Sequence, residues 1–440
     1  MEMNDIILIS VDDHLVEPPD VFENHVPAAY RSSAPRLIRE PNADFWMYGD
    51  RKIRNVAMNA VAGRPPEEYG FEPAKMTGMR RGCWDIHDRI DDMNANGVLS
   101  SLCFGSFTGM DGSVFLAHPD KAEALVHLKA YNDWQIDEWC AAYPGRMIPL
   151  AVLPLWDMTE TVAEIRRVAA KGCRAVCVSD NPTVKGLPSI HNEYWNPFFE
   201  ACAENNVTIC CHIGAGNAPG HTSMDSPIEV WTTTFPMAIA MGAADWLHHP
   251  ALKRHPNLKV SLTEGGIGWI PYLLERADFT HWRHHAWTNS QFEGKPSDLF
   301  RKHFFTCFID DRFGLKNRHE VGIDTICYEA DYPHSDSVWP ECPELLWKSF
   351  DGLGMTDEEI NKITHLNAMR AYDFDPFKHI AKKDATVGAL RAAAKAKGVS
   401  TAPISFGGAE RPVEEGVTRV VTSGDVMKLF GYGQAPGDDE

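Results

Sequence analysis

The sequence predicts an α/β protein: a TIM-like (β/α)8 barrel with a long insertion after the first strand and a C-terminal arm. Short apolar runs alternate with longer amphipathic segments, which is typical of βα units and a parallel sheet. The apolar runs number eight along the 440 residues, and this number favours a closed barrel over an open sheet. No glycine-rich GxGxxG follows the first run, which argues against dinucleotide binding.

The predicted strands are apolar on both alternate faces, as parallel strands covered on both sides are. They span residues 6–11, 99–104, 147–153, 175–178, 208–212, 259–263, 304–309 and 325–328. Helices are predicted before most of them, at residues 86–96, 121–143, 159–171, 195–205 and 228–249. Gly97, Gly145 and Gly172 follow three of these helices, where left-handed C-cap residues are expected.

We expect residues 1–380 to form the metal-dependent barrel and residues 381–440 to form a C-terminal helical and extended arm. Residues 17–84 are rich in Pro, Gly and Arg and interrupt the pattern after the first strand. They are predicted to form a subdomain or lid near the barrel mouth, because the loops at that end build active sites. The arm contains an Ala-rich basic helix at 389–397 and is expected to pack on the barrel or on a partner subunit.

Composition excludes several classes of function. The net charge of -19 opposes nucleic-acid binding, since phosphates would be repelled. No apolar segment reaches the length of a membrane span, and the acidic N-terminus lacks the features of a signal peptide. The 11 cysteines are scattered within apolar segments, which suits buried thiols in a reducing compartment. We therefore expect a cytoplasmic protein whose partner is a small-molecule substrate.

Acidic and imidazole side chains stand at the ends of three predicted strands. Asp12 and His14 are one residue apart, so on a strand both point to the same side. His212 ends the fifth strand, and Asp331 follows the eighth, which lies beside the first in a closed barrel. Each has an ordinary alternative as a hydrogen-bonded or capping residue. Together, two imidazoles and two carboxylates suit one catalytic divalent ion, with Zn²⁺ as first choice and Mn²⁺ or Fe²⁺ as alternatives.

Two further residues are candidates for acid–base chemistry. Glu264 follows the sixth strand and precedes two glycines, which allow close approach of a substrate. Near a metal it is a general acid/base or a contact for a substrate amine, and its ordinary alternative is an N-cap or salt-bridge residue at the next helix. His334 lies three residues after Asp331 and either shuttles a proton or braces its loop.

Four motifs resemble the amidohydrolase-related family, and more narrowly the branch of aminocarboxymuconate semialdehyde decarboxylase and related aromatic-acid decarboxylases. They are Asp12-Asp13-His14, Cys211-His212-Ile213-Gly214, Thr263-Glu264-Gly265-Gly266-Ile267-Gly268-Trp269 and Asp331-Tyr332-Pro333-His334. The resemblance covers roughly residues 5 to 375. It implies a distorted β/α barrel, one catalytic metal and a homodimer or higher homo-oligomer. Asp12 replaces the first His of the family's usual His-x-His, and Glu264 stands where the decarboxylases carry a catalytic His.

The preferred hypothesis is a metal-dependent hydrolase that acts through metal-activated water on a small aromatic or cyclic amide, ester or C–C substrate. In it Asp331 accepts the proton of the water, helped by Glu264 or His334. The alternative is a metal-dependent, non-oxidative decarboxylase of an aromatic or unsaturated acid. It requires a clamp for the substrate carboxylate, for which the insertion offers Arg51, Arg54, Arg80 and Arg81. A second alternative is a non-catalytic barrel that serves as a binding subunit.

Overall fold

The structure, a computed structural model of the chain, describes residues 1–53, 57, 59–70, 73, 75–217, 223–290, 294–407 and 419–429. Its strands are β1 (Ile9–Leu15), β2 (Arg36–Arg39), β3 (Asp44–Tyr48), β4 (Arg51–Ile53), β5 (Ser100–Gly105), β6 (Met147–Ile148), β7 (Ala151–Val152), β8 (Ala175–Val178), β9 (Thr208–His212), β10 (Lys259–Thr263), β11 (Phe304–Phe308) and β12 (Ile326–Tyr328). Two sheets result, a large parallel one and a small antiparallel one.

The large sheet has the order β6-β5-β1-β12-β11-β10-β9-β8-β7. Its two ends belong to one extended segment, because β6 pairs with β5 and β7, three residues further on, pairs with β8. The sheet therefore closes on itself, and the predicted α/β barrel is confirmed. The predicted strand 147–153 is interrupted in the middle, where Pro149 has no N–H to give to a neighbouring strand.

The first strand lies further along the chain than predicted. It spans Ile9–Leu15 rather than 6–11, so Asp12 and His14 lie within the strand instead of at its end. The prediction stopped at the apolar run, whereas the polar residues continue the ladder with β5, where His14 pairs with Phe104. Ile6, before the strand, instead accepts the backbone N–H of Val387 from the C-terminal part of the chain at 2.9 Å.

Helices cover the outside of the barrel and fill the loops between strands. The α-helices are α1 (Ile86–Asn96), α2 (Ser113–Leu116), α3 (Lys121–Trp134), α4 (Met158–Ala170), α5 (Asn196–Glu204), α6 (Ile228–Thr234), α7 (Ala238–Leu247), α8 (Ala251–Arg254), α9 (Ile270–His284), α10 (Pro296–His303), α11 (Arg312–Lys316), α12 (Arg318–Val321), α13 (Cys342–Phe350), α14 (Asp357–Asn361), α15 (Asn367–Ala371), α16 (Val387–Lys397) and α17 (Ser423–Leu429). Within the described ranges, no helix has both the length and the apolar character of a membrane span.

Two predicted helices are divided. The segment 228–249 forms α6 and α7, separated by a 3-10 turn that contains Pro236, since proline disrupts the helical hydrogen-bond pattern. The segment 121–143 forms α3 and then a π-helical stretch, Gln135–Cys140. Gly97, predicted as a C-cap, ends α1 with a left-handed φ of 77°.

The insertion contains the small antiparallel sheet of β2, β3 and β4. Its central strand is anchored on the barrel through Trp46, which is fully buried and lies 4.8 Å, between ring centroids, from Phe107. This contact holds β4, the edge strand, beside the barrel mouth. After α16, the chain returns to the insertion, where the N–H of Ile404 donates to the carbonyl of Gly63 at 2.8 Å.

Candidate metal centre

A cluster of ligand-type side chains lies at the carboxyl end of the barrel strands. Asp12 and His14 come from β1, His212 ends β9 and Glu264 follows β10. One potential ligand atom from each lies within 4.8 Å of those of the other three. His212 Nε2 is 3.4 Å from Asp12 Oδ1 and 3.1 Å from Glu264 Oε2.

Asp331, after β12, extends this cluster through His14. It forms a second group of the same kind with His14, Glu264 and His334. Asp331 Oδ1 lies 3.3 Å from His14 Nε2 and 3.0 Å from His334 Nδ1. The His334 ring also stacks on the ring of His14, with centroids 3.7 Å apart. The structure thus brings all six predicted site residues together, and Glu264 belongs to both groups.

The unsatisfied atoms of the cluster fit a divalent cation. Both carboxylate oxygens of Asp12, Nε2 of His14 and Nε2 of His212 are buried without a hydrogen-bond partner of acceptable geometry. Buried polar atoms are rarely left in this state, because it costs most of their hydration energy. The Nδ1–H of His212 donates to the carbonyl of Ile213 at 2.6 Å, so Nε2 presents its lone pair to the cluster. Nitrogen and oxygen donors in this number suit Zn²⁺, Mn²⁺ or Fe²⁺.

Left-handed backbone conformations place two of the carboxylates. Glu264 has φ 61° and Asp331 has φ 50°, values that non-glycine residues adopt only where their surroundings enforce them. In each case the chain leaves a barrel strand, turns sharply and directs the side chain back over the barrel. Such local strain is concentrated at functional sites in proteins generally.

Burial and crowding dominate the electrostatics of the cluster. Burial raises the pKa of Asp12 and Glu264 well above their usual values, and the neighbouring carboxylates raise both further. Burial likewise lowers the pKa of His14 and His212. The pKa of Asp331 is lowered instead, because His334 and His14 outweigh its burial. Closely packed carboxylates and neutral imidazoles are the environment that a bound cation would stabilise.

A cavity of about 580 Å³ opens above the cluster. His14 and His334 contribute to its lining, together with the backbone turn at Gly214. Its walls are mainly apolar and come from the loops after β5 and β8 and from the edge strand of the insertion. The apolar and aromatic residues among them are Ile53, Phe107, Met110, Val114, Leu116, Ala117 and Val184. Arg51 and Lys185 add two cationic side chains to the same cavity, and Lys185 Nζ also lies 3.7 Å from Asp111 Oδ2.

The proposed arginine clamp is correct only in part. Arg51 lines the cavity, but Arg80 pairs with Asp92 at 2.6 Å, and Arg81 pairs with Asp85 at 2.7 Å. Arg80 and Arg81 line a separate cleft between the insertion and the C-terminal arm. Both are engaged there because α1 presents its acidic residues to them. Arg54 lies outside the described residues.

Three residues near the cluster were missed by the sequence analysis. Lys185 reaches the cavity from a 3-10 turn after β8, and no sequence motif marks it. Glu329 and Cys307 lie beneath the cluster, and one potential ligand atom of each is within 4.8 Å of one of Asp12. For Glu329 a signal existed, since it is an acidic residue directly after the apolar run 325–328 and two residues before Asp331.

A family model described as Amidohydrolase matches residues 23–374. The chain belongs to the amidohydrolase family. The resemblance inferred from the motifs is therefore confirmed, and this protein is an enzyme of the amidohydrolase superfamily.

Solved structures with the same fold align with this chain over nearly their whole length. An amidohydrolase from Mycobacterium avium subsp. paratuberculosis K-10 is 18% identical, with a TM-score of 0.62 over 83% of this chain and 99% of its own. The 5-carboxyvanillate decarboxylase from Sphingomonas paucimobilis is 19% identical, with a TM-score of 0.57 over 84% and 99%. That from Novosphingobium aromaticivorans, complexed with manganese and 4-hydroxy-3-methoxy-5-nitrobenzoic acid, is 17% identical, with a TM-score of 0.59 over 85% and 99%. At this identity the likeness establishes the fold alone.

Proposed function

We propose that this protein is a metal-dependent, non-oxidative decarboxylase of an aromatic or unsaturated acid. The observation that carries the proposal is a single cavity that joins the metal-type cluster to cationic groups. His14 and His334 line it together with Arg51 and Lys185, and the walls between are apolar. Such a cavity favours a flat apolar molecule with an anionic group. Two decarboxylases of aromatic acids share the fold, which supports the same choice.

The ligand set in this proposal is Asp12, His14, His212 and Asp331, with Glu264 as a fifth donor. A bound divalent ion would supply Lewis-acid chemistry, which would polarise the oxygen atoms of the acid. The donor set contains no sulfur and is compatible with zinc as well as with manganese.

Protein side chains supply the remaining chemistry. Arg51 binds and orients an anionic substituent in the cavity, and Lys185, whose Nζ lies 3.7 Å from Asp111 Oδ2, adds a second positive charge beside it. When the C–C bond to the departing carboxylate breaks, CO₂ leaves and the electron pair stays on the substrate carbon, which then takes a proton. We assign delivery of that proton to His334, because it lines the cavity and its Nδ1 is held by Asp331 at 3.0 Å.

A specific contact supports hydrolysis as the second candidate function. Glu264 stands where the decarboxylases that the motifs resemble carry a catalytic histidine, and its Oε2 lies 3.1 Å from His212 Nε2. A carboxylate at this point would accept a proton from an attacking water molecule, which hydrolysis of an amide or ester requires. Asp331 would serve the same purpose from the opposite side.

Product analysis in labelled solvent separates the candidates. Metal-loaded protein would be incubated with carboxyl-¹³C hydroxybenzoates and methoxybenzoates, including 5-carboxyvanillate, and separately with aryl amides and esters. Release of ¹³CO₂, with deuterium from D₂O at the vacated carbon, identifies a decarboxylase. Oxygen-18 from H₂¹⁸O in the product identifies a hydrolase and contradicts the proposal. Full metal occupancy with turnover of neither class contradicts both candidates for these substrates.

His334→Asn and Glu264→Gln then assign the proton donor. In a decarboxylase that uses His334, the first variant loses turnover while it keeps its metal. His379→Asn, an exposed histidine away from the cavity, is the matched control and is expected to behave like the wild type.

A further inference from the structure

The backbone N–H of Glu264 donates its hydrogen bonds to side chains on or just after two other strands. The pairing of β10 with β11 ends at Leu262 and Thr306, and the chain then adopts the left-handed conformation at Glu264. In the described chain this N–H donates to side chains rather than to a strand carbonyl. Its acceptors are Oε2 of Glu329 at 3.3 Å and Sγ of Cys307 at 3.4 Å.

Both acceptors are enclosed in the barrel. Cys307 lies on β11 and is fully buried, and Glu329, just after β12, is 1% exposed. Three neighbouring strands therefore meet at one hydrogen-bond donor, the amide of Glu264 from the end of β10. A buried N–H needs an acceptor, and a non-glycine residue in a left-handed conformation needs surroundings that hold it there. Glu329 and Cys307 meet both needs.

We infer that Glu329, assisted by Cys307, is a positioning residue for Glu264. By accepting the Glu264 N–H, Glu329 holds the left-handed turn and so directs the Glu264 carboxylate to within 3.1 Å of His212 Nε2. Glu329 and Asp331 are two residues apart. The chain just after β12 therefore provides one metal-type ligand, Asp331, and the residue that positions a second one, Glu264. This inference rests on the metal site of the proposed function, not on the choice between decarboxylation and hydrolysis.

A competing use of the same residues is a second cation site. Asp12, Cys307 and Glu329 each offer a ligand atom within 4.8 Å of the others. The hydrogen bonds favour the anchor, since Glu329 and Cys307 both accept the Glu264 amide and the thiol also donates to the carbonyl of Leu262 at 3.6 Å. The two uses differ in metal stoichiometry, so one experiment separates them.

The test uses Co²⁺ as a spectroscopic probe, loaded into metal-free full-length protein. Visible absorption reports the ligand field, and titration gives the dissociation constant, with no substrate needed. Glu264→Gln defines the signature of a disturbed Glu264. We expect Glu329→Leu to reproduce that spectrum and to weaken Co²⁺ binding by about 10- to 100-fold, the usual effect of losing a residue that orients a ligand. Glu329→Gln retains an acceptor oxygen and is expected to stay within about threefold of wild type.

Matched controls isolate the anchor from general destabilisation. Cys307→Ala removes one acceptor and is expected to give a partial change, whereas Cys327→Ala, a buried cysteine on β12, is expected to give none. If Glu329→Leu does not fold, Glu329→Asp withdraws the acceptor by one methylene and gives the same comparison.

Three results would overturn the inference. The first is a Glu329→Leu protein that unfolds at lower temperature but keeps the wild-type Co²⁺ spectrum and affinity. The second is two equivalents of Co²⁺ per wild-type chain, one of them lost in Cys307→Ala. The third is a Glu264→Gln variant indistinguishable from wild type, which would remove Glu264 from the metal site. Because turnover is not measured, failure of the decarboxylase proposal cannot be mistaken for failure of the anchor.

Discussion

The carboxylate of Asp13 accepts the backbone N–H of Tyr332 at 2.9 Å, which ties β1 to the loop that carries Asp331. The same carboxylate accepts hydrogen bonds from the hydroxyls of Ser10, at 3.1 Å, and Ser101. Burial raises the pKa of Asp13 to about 6, although the nearby Arg89 guanidinium and these hydrogen bonds oppose the shift. Asp13 therefore supports the cluster from outside, while its neighbours on β1 are part of it.

Replacing Asp13 by Ala should destabilise this loop and weaken metal binding. Three donors lose their acceptor in a closed environment, so we expect the free energy of unfolding to fall by about 2–4 kcal/mol. Asp13→Asn, which keeps one acceptor oxygen for the Tyr332 N–H, should lose much less. Urea denaturation of the metal-free variants measures the first effect, and Zn²⁺ titration measures the second. An Asp13→Ala protein as stable as wild type would show that the loop needs no such support.

Most of the barrel, and most of the residues in its metal-type cluster, could be predicted from the sequence, because both are determined by where the parallel strands end. Apolar runs mark the parallel strands, and the carboxyl ends of parallel strands must meet at one face. Asp12, His14, His212 and Asp331 therefore come together in any closed barrel with these strands. This inference needs only the positions of the strands and the direction in which the chain runs through them, and the apolar runs indicate both.

The rest depends on geometry that no short pattern encodes. Glu264 joins the cluster through a left-handed turn that is held from two other strands, by Glu329 and Cys307. Lys185 reaches the cavity only because of how the loop after β8 folds. Arg80 does not line the cavity, because it pairs with an acidic residue of α1. These outcomes are set by tertiary contacts, which the sequence near each residue does not reveal.

Metal removal should lower the stability of the protein, because the cluster concentrates buried acidic groups and unsatisfied donor atoms. We expect protein purified without added metal to hold about one equivalent of a divalent ion per chain. Chelation should lower the melting temperature, since a ligand that binds only the folded state stabilises it. His212→Ala should lose the metal, whereas His379→Ala, at an exposed site, should keep it. Elemental analysis and thermal unfolding measure both effects, and equal occupancy in the two variants would exclude His212 as a ligand.

Glu17 should make stability depend on pH. It follows β1, is fully buried and accepts the N–H of Phe107 at 2.7 Å, and burial raises its pKa from 4.5 to about 7. Between these values the folded chain binds more protons at Glu17 than the unfolded chain does. The free energy of unfolding should therefore fall as pH rises through this window, by on the order of 3 kcal/mol in total, and Glu17 should add no slope outside it.

Glu17→Gln is expected to remove this dependence, since the amide resembles the protonated acid. Relative to wild type, the variant should gain stability between pH 5 and pH 8. Urea denaturation of both proteins at the two pH values measures the difference, and the exposed Glu23 provides the control variant Glu23→Gln. Parallel pH profiles for wild type and Glu17→Gln would mean that Glu17 is ionised at no cost in the folded protein.

Arg51 should set the affinity for an anionic substrate without taking part in the chemical step. Arg51 and Ile53 are two residues apart on β4, share one face of the strand and both line the cavity. Arg51→Gln should raise KM by roughly 10- to 100-fold, as expected for a lost charge-assisted hydrogen bond, and leave kcat nearly unchanged. The wild-type KM should also rise with ionic strength, because an exposed cation is screened by salt.

The neighbouring Lys52 makes the Arg51 prediction specific. It has the same charge and similar exposure, but it pairs with Glu40 at 3.3 Å and lies over the ring of Phe45 at 3.7 Å. Lys52→Gln changes the net charge of the protein by the same amount as Arg51→Gln, yet it should leave KM unaltered. Steady-state kinetics on all three proteins, at low and high salt, separates a local contact from a general field. Equal effects of the two substitutions would mean that the insertion attracts substrate only through its overall charge, and that β4 does not form part of the binding site.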